Sequence, residues 1–73
     1  MKTYGYTIVI DKDEDGKFLA ICPSLQGCYT EGDTIEEAKE LIEDAIKLHI
    51  QDRIENGETI SEEVFSGMVK IAV

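Results

Sequence analysis

Three groups of side chains in this sequence have types and spacings that could do chemistry. The first is the acidic run Asp11-Lys12-Asp13-Glu14-Asp15-Gly16, which matches the first six positions of a calcium loop, D-x-D-x-D-G. Carboxylates at alternate positions can converge on one hard cation while the glycine permits a sharp turn. The twelfth position of such a loop must bring a bidentate glutamate, and here it holds Cys22. The run therefore reads as a solvated hairpin tip. The second group is Cys22 and Cys28, with five residues between them. With one histidine elsewhere they lack paired zinc-ligand spacing, and they read as two small thiols packed at strand ends. The third is His49, the sole histidine, which has no neighbouring nucleophile to activate and reads as partly buried on a helix. Asp11, Glu43 and Glu55 could be imagined on a shared metal. Their spacing does not distinguish them from solvated faces, and Glu43 to Lys47 has the i,i+4 spacing of a surface ion pair. The residues thus predict no catalytic, cofactor or metal site, and the chain reads as a binding domain rather than an enzyme.

The elements that position these groups centre on one long helix within residues 32–57. Thr34 and Glu37 have the spacing of a capping box, in which the Thr hydroxyl accepts the Glu37 N–H and the Glu carboxylate reaches back to the Thr34 N–H. Glu36 and Glu37 suit the positive end of the helix dipole. Ile35, Ala38, Ile42, Ala45 and His49 recur at steps of three and four, with Leu41, Ile46 and Leu48 widening the apolar stripe. Arg53 lies near the end, and Asn56-Gly57 predicts a left-handed cap.

The helix needs a partner along its length, and strands supply it. In residues 4–10, Tyr4, Tyr6, Ile8 and Ile10 alternate with Gly5, Thr7 and Val9. Asp15-Gly16 suits a tight turn, and residues 17–22 return with Phe18, Ala20 and Cys22 on one side and Leu19 and Ile21 on the other. Pro23, which has no N–H to donate, ends that pairing. A loop over residues 23–27 leads to a short third strand at 28–31. Beyond Gly57 comes a polar linker, where Ser61 could cap a single helical turn. Residues 64–73 predict a last strand, with Phe65, Val69, Ile71 and Val73 sharing one parity and Gly67 marking a bulge or a close backbone approach. The fold class is α+β: a two-layer sandwich in the order β-β-β-α-β, with a three-stranded antiparallel meander and a C-terminal strand packed against one long helix.

Length and charge narrow the function. Residues 1–73 suffice for a single domain, and a chain this short buries only about 60% of its unfolded surface. Such domains often associate, so a homo-oligomer is expected. Sixteen acids against 7 bases give a formal net charge of −9. Direct nucleic-acid binding is therefore not expected, because that affinity rests on basic groups displacing counterions at phosphates. The same charge suits a basic protein partner, or serves only to keep the chain in solution. No signal peptide or membrane-spanning run stands out, so the reading is cytoplasmic.

Taken together, several segments resemble the HicB family, antitoxins of toxin–antitoxin pairs. They are Asp15-Gly16-Lys17-Phe18; then Cys22-Pro23-Ser24-Leu25-Gln26-Gly27-Cys28; then Gly32-Asp33-Thr34-Ile35-Glu36-Glu37-Ala38; and then Ala45-Ile46. With the first strand the resemblance covers most of residues 4–50, and it departs at Gln26, where a proline is common. It implies a partial RNase H-like fold in the order already read. It also implies a partner: a small basic RNase toxin of the HicA type that cleaves mRNA and is neutralised by occlusion. Many family members carry a further DNA-binding domain after this one, and the sequence through Val73 shows none. The alternative is a stand-alone oligomeric HicB-like module with no toxin partner; a residual metal-dependent nuclease is a third reading. For a partner interface the candidate anchors are Tyr29, on the third strand, and Leu25 beside it. Asp13, Glu14 and Asp15 at the hairpin tip are the candidates for steering at the rim.

Overall fold

The computed structural model describes residues 3–60 and 62–73. The expected cap at Ser61 lies outside the described residues. Three strands, β1 (Val9–Lys12), β2 (Phe18–Ile21) and β3 (Tyr29–Gly32), form an antiparallel sheet in the order β1-β2-β3, and one 21-residue helix, α1 (Ile35–Glu55), follows. The α+β arrangement is the one the sequence predicts.

The first strand is shorter than its alternation. Exposure alternates without a break from Thr3 to Asp11, with Tyr4, Tyr6, Ile8 and Ile10 turned inward. Ladder pairing nevertheless begins only at Val9, opposite Ile21. The reason is the partner strand: β2 stops before Cys22-Pro23, and proline offers no N–H to extend the ladder. The β1–β2 turn is built on Asp13. Its carboxylate accepts the N–H groups of Asp15 and Lys17, both at 2.9 Å, and Gly16 takes a φ of +83° that a Cβ would oppose.

Between β2 and β3 the chain makes two consecutive turns. The Leu25 N–H donates to the Cys22 carbonyl and the Cys28 N–H to the Leu25 carbonyl, each at 3.1 Å. These turns fold Leu25 under the sheet, where it is only 1% exposed. It completes a core with Ala20, Cys22, Cys28, Ala38 and Ile42. Gly32 lets the helix approach. A Cβ there would stand 2.7 Å from the Ala38 nitrogen.

The helix starts at Thr34, whose hydroxyl accepts the Glu37 N–H at 3.0 Å. The return bond differs from the expected box by one residue: the Glu37 carboxylate accepts from Asp33, not Thr34. At the other end Gly57 is left-handed (φ +70°). Its N–H donates to the Ile54 carbonyl and that of Glu58 to the Arg53 carbonyl, the paired bonds of a Schellman cap. The stripe is narrower than the sequence pattern. Ala38 and Ile42 are buried, whereas Leu41 and Leu48 are 41% and 66% exposed. A three-stranded sheet is not wide enough to cover both flanks of the helix.

The largest departure is at the end of the chain. The predicted C-terminal strand is not formed: residues 64–73 pair with no strand among the described residues, and all of them are exposed. An extended segment gains little without a ladder partner and a face to pack on. This one runs beside Thr7, Val9, Pro23 and Ser24 as far as Gly67, bordering an open hollow without packing into it. With no strand formed, neither the bulge nor the close backbone approach expected at Gly67 is seen; its near neighbour is a side chain of its own segment. A Cβ there would meet the Phe65 ring at 3.0 Å.

Candidate functional site

Strand register decides which residues share a surface. Val9, Ile21 and Tyr29 stand opposite one another across the sheet, and so do Asp11, Leu19 and Glu31. The intervening row is Ile10, Ala20 and Thr30. Ala20 is fully buried and the Thr30 hydroxyl donates to the Ala38 carbonyl at 3.1 Å, so that row faces the helix. Since successive side chains point to opposite faces, the first two rows face outward. No element covers this outer face among the described residues.

The outer face has a defined chemistry. Its apolar row runs from Val9, 41% exposed, through half-buried Ile21 to Tyr29, 65% exposed. Half-buried Leu19 extends it into the next row, flanked by exposed Asp11 and Glu31. The acidic turn continues the rim from β1, with Glu14 and Asp15 exposed. The result is an apolar strip with an aromatic at one end and carboxylates around it. That pattern suits a protein partner: aromatic side chains bury large area at low entropic cost, and rim charges guide encounter.

The predicted site residues separate into three kinds. Tyr29 lies on this face. Glu14 and Asp15 lie at its end, while Asp13 commits its carboxylate to two turn N–H groups. Leu25 sits in the core and offers no surface to a partner in this conformation. Sequence reading did not single out Val9, Leu19, Ile21, Asp11 and Glu31 as a site. The signal was present in the parity that sets Leu19 and Ile21 opposite Phe18, Ala20 and Cys22. Joining it to Val9 and Tyr29 required the register.

The other candidate groups are dispersed. Among the described residues, no three His, Cys, Asp or Glu side chains lie close enough to hold a metal ion. His49 is half-buried on the helix. Cys22 and Cys28 are buried free thiols, and burial pushes both above the ordinary thiol value, partly opposed at Cys22 by hydrogen bonds from the Ser24 and Leu25 backbone. Asp33 pairs with Lys17 at 3.2 Å on the surface and raises its pKa. No helix among the described residues is long and apolar enough to cross a membrane.

Comparison with known proteins shows the family. A family model described as the HicB-like antitoxin of bacterial toxin–antitoxin systems matches residues 6–69. A UPF0150 protein of Synechocystis sp., ssr1765, is 42% identical over 60 residues, covering 82% of this chain and 76% of its own. A UPF0150 protein of Archaeoglobus fulgidus is 39% identical, covering 81% and 88%. A second Synechocystis relative, ssr1258, is 32% identical over the full length of both chains. No solved structure matches the chain.

Proposed function

Because this chain belongs to the HicB-like antitoxin family, we propose that it neutralises a small, basic, mRNA-cleaving toxin of the HicA type by covering that enzyme's active site with the outer face of its sheet. The observation that carries the reading is the outer face itself, an apolar row ending in exposed Tyr29 and rimmed by Asp11, Glu31, Glu14 and Asp15. A protein that grips RNA phosphates must present basic groups around its catalytic cleft. An acid-rimmed surface competes for those groups without any chemistry of its own, so the domain acts as a binder and not as an enzyme.

The two parts of the surface have different kinetic roles. The net charge of −9 accelerates encounter with a basic partner, and more so at low salt. Residence depends on what is desolvated in the interface, and Tyr29, at the end of the apolar row, is the aromatic this face offers for burial. Glu14→Lys with Asp15→Lys is therefore expected to slow association and flatten its salt dependence. Tyr29→Ala is expected to speed dissociation. Asp13 is left intact because it holds the turn.

The test is co-expression with the protein encoded beside this chain, following growth, RNA cleavage and co-purification. Rescue of growth together with a stable complex supports the proposal. A toxic neighbour that this chain neither rescues nor binds overturns it, and the stand-alone module takes its place.

A further inference from the structure

We propose that residues 64–73 are an exchange arm, which adds as an outer strand to the β1 edge of a second copy of this chain while that copy's arm does the same in return. The inference does not depend on the antitoxin reading. It begins with composition. The arm carries Val64, Phe65, Met68, Val69, Ile71 and Val73, and its single charged side chain is Lys70. The six apolar side chains are between 79 and 122% exposed. From Val69 to Val73 they alternate with Lys70 and Ala72 in the period of a strand. A run of this kind left in water is both a cost in apolar exposure and a ready ladder.

The start of the arm, Val64 to Gly67, only borders an open hollow with Thr7, Val9, Pro23 and Ser24, and its side chains stay exposed. The chain's radius of gyration is 13.9 Å, against about 11 Å for a compact domain of this length. Its root, by contrast, is fixed. The Glu63 carboxylate accepts from both the backbone N–H and the hydroxyl of Thr7 and from the Ser24 hydroxyl at 3.1 Å. Those bonds hold the Glu63 pKa below its ordinary value. The arm therefore departs beside the approach to β1.

That position selects the receiving edge. In a two-fold exchange each copy donates and receives at one shared place, so the root must lie near the edge that receives. The β1 edge has no second strand beside it among the described residues. It is also the strand on which the helix packs least. The signs agree: Lys70 is the arm's charge, and β1 leads into the acidic Asp13-Glu14-Asp15 turn. The edge beyond the Glu63–Thr7 contact, residues 8–12, matches in length the alternating stretch 69–73 that would pair with it.

Two measurements on the full chain test this. In sedimentation equilibrium the intact chain is expected to be dimeric at tens of micromolar. Val69→Asp with Ile71→Asp is expected to weaken the dimer roughly ten-fold or more, since two apolar side chains lose their burial. Helix circular dichroism should be unchanged, because the arm contributes nothing to the core. Independently, isotope-filtered NMR on labelled and unlabelled chains refolded together is expected to show contacts from the Val69 and Ile71 methyls of one copy to Val9 and Ile10 of the other. An intact chain that is monomeric, a double variant that dimerises as well as the parent, or arm-to-β1 contacts found only within one chain would each overturn the proposal. The last result would mean that the arm closes on its own sheet.

Discussion

The two faces of β2 are made of similar residues and have opposite fates. On one face Ala20, backed by Cys22 from the adjoining turn, is sealed against Ala38 and Ile42. On the other, Leu19 and Ile21 are only half-buried, and their rows end in Asp11, Glu31, Val9 and Tyr29. Where the helix comes closest the inner face is small, at Ala20 and Gly32, and a Cβ at Gly32 would stand 2.7 Å from the Ala38 nitrogen. The outer face is left without a covering element, and only its Val9 end is bordered by Val64 to Gly67. Hydropathy alone does not separate the two. The difference comes from which face the connection after β3 places the helix on. Once that side is chosen, the remaining apolar side is available for recognition.

This contrast predicts a division between stability and binding. Ile42→Ala, at a fully buried position, should cost about 2–5 kcal/mol in urea unfolding, a large share of what a domain this short possesses. Gly32→Ala should cost about 1–3 kcal/mol in the same measurement by forcing the helix off β3. Thr34→Ala removes the acceptor of the Glu37 N–H and should lower stability by about 0.5–2 kcal/mol. An unchanged melting midpoint would mean that Asp33 or a loop group caps the helix in its place.

The buried thiols give the inner face a pH signature. Both pKa values are raised by burial, so the folded chain holds these protons longer than the unfolded one. Their contribution is complete below the ordinary thiol value of 9.0 and is lost as pH rises through the higher folded values. Urea midpoints measured upward from pH 8 should therefore fall, and fall less in Cys22→Ala relative to its own value at pH 8. The smallest stability effect is expected on the outer face. Tyr29→Ala should move the unfolding free energy by no more than about 0.5 kcal/mol while markedly shortening the life of the partner complex. If Tyr29→Ala instead unfolds the domain as Ile42→Ala does, the two faces are not divided in this way.

Much of this was legible in the residues. The helix and both its ends were, because capping and the left-handed Gly57 depend on chemistry within a few positions of the chain. The Asp13 turn and the alternation through Tyr4, Tyr6, Ile8 and Ile10 were equally local. The segments from Cys22 to Cys28 and from Gly32 to Ala38 carried the family resemblance. Tertiary structure decided what depends on distant neighbours. Leu25 follows a proline in a polar loop and could have faced either way; two turns bury it. Leu41 and Leu48 fit the helical stripe, yet three strands leave them uncovered. Residues 64–73 have the alternation of a strand, but a strand exists only where a second edge supplies its hydrogen bonds. The sequence by itself determined which segments are helix, turn and strand-forming, since those preferences are set by φ/ψ sterics and near-neighbour hydrogen bonds. Which apolar side chains are buried and which are left for a partner was decided only when register and packing brought separate segments together.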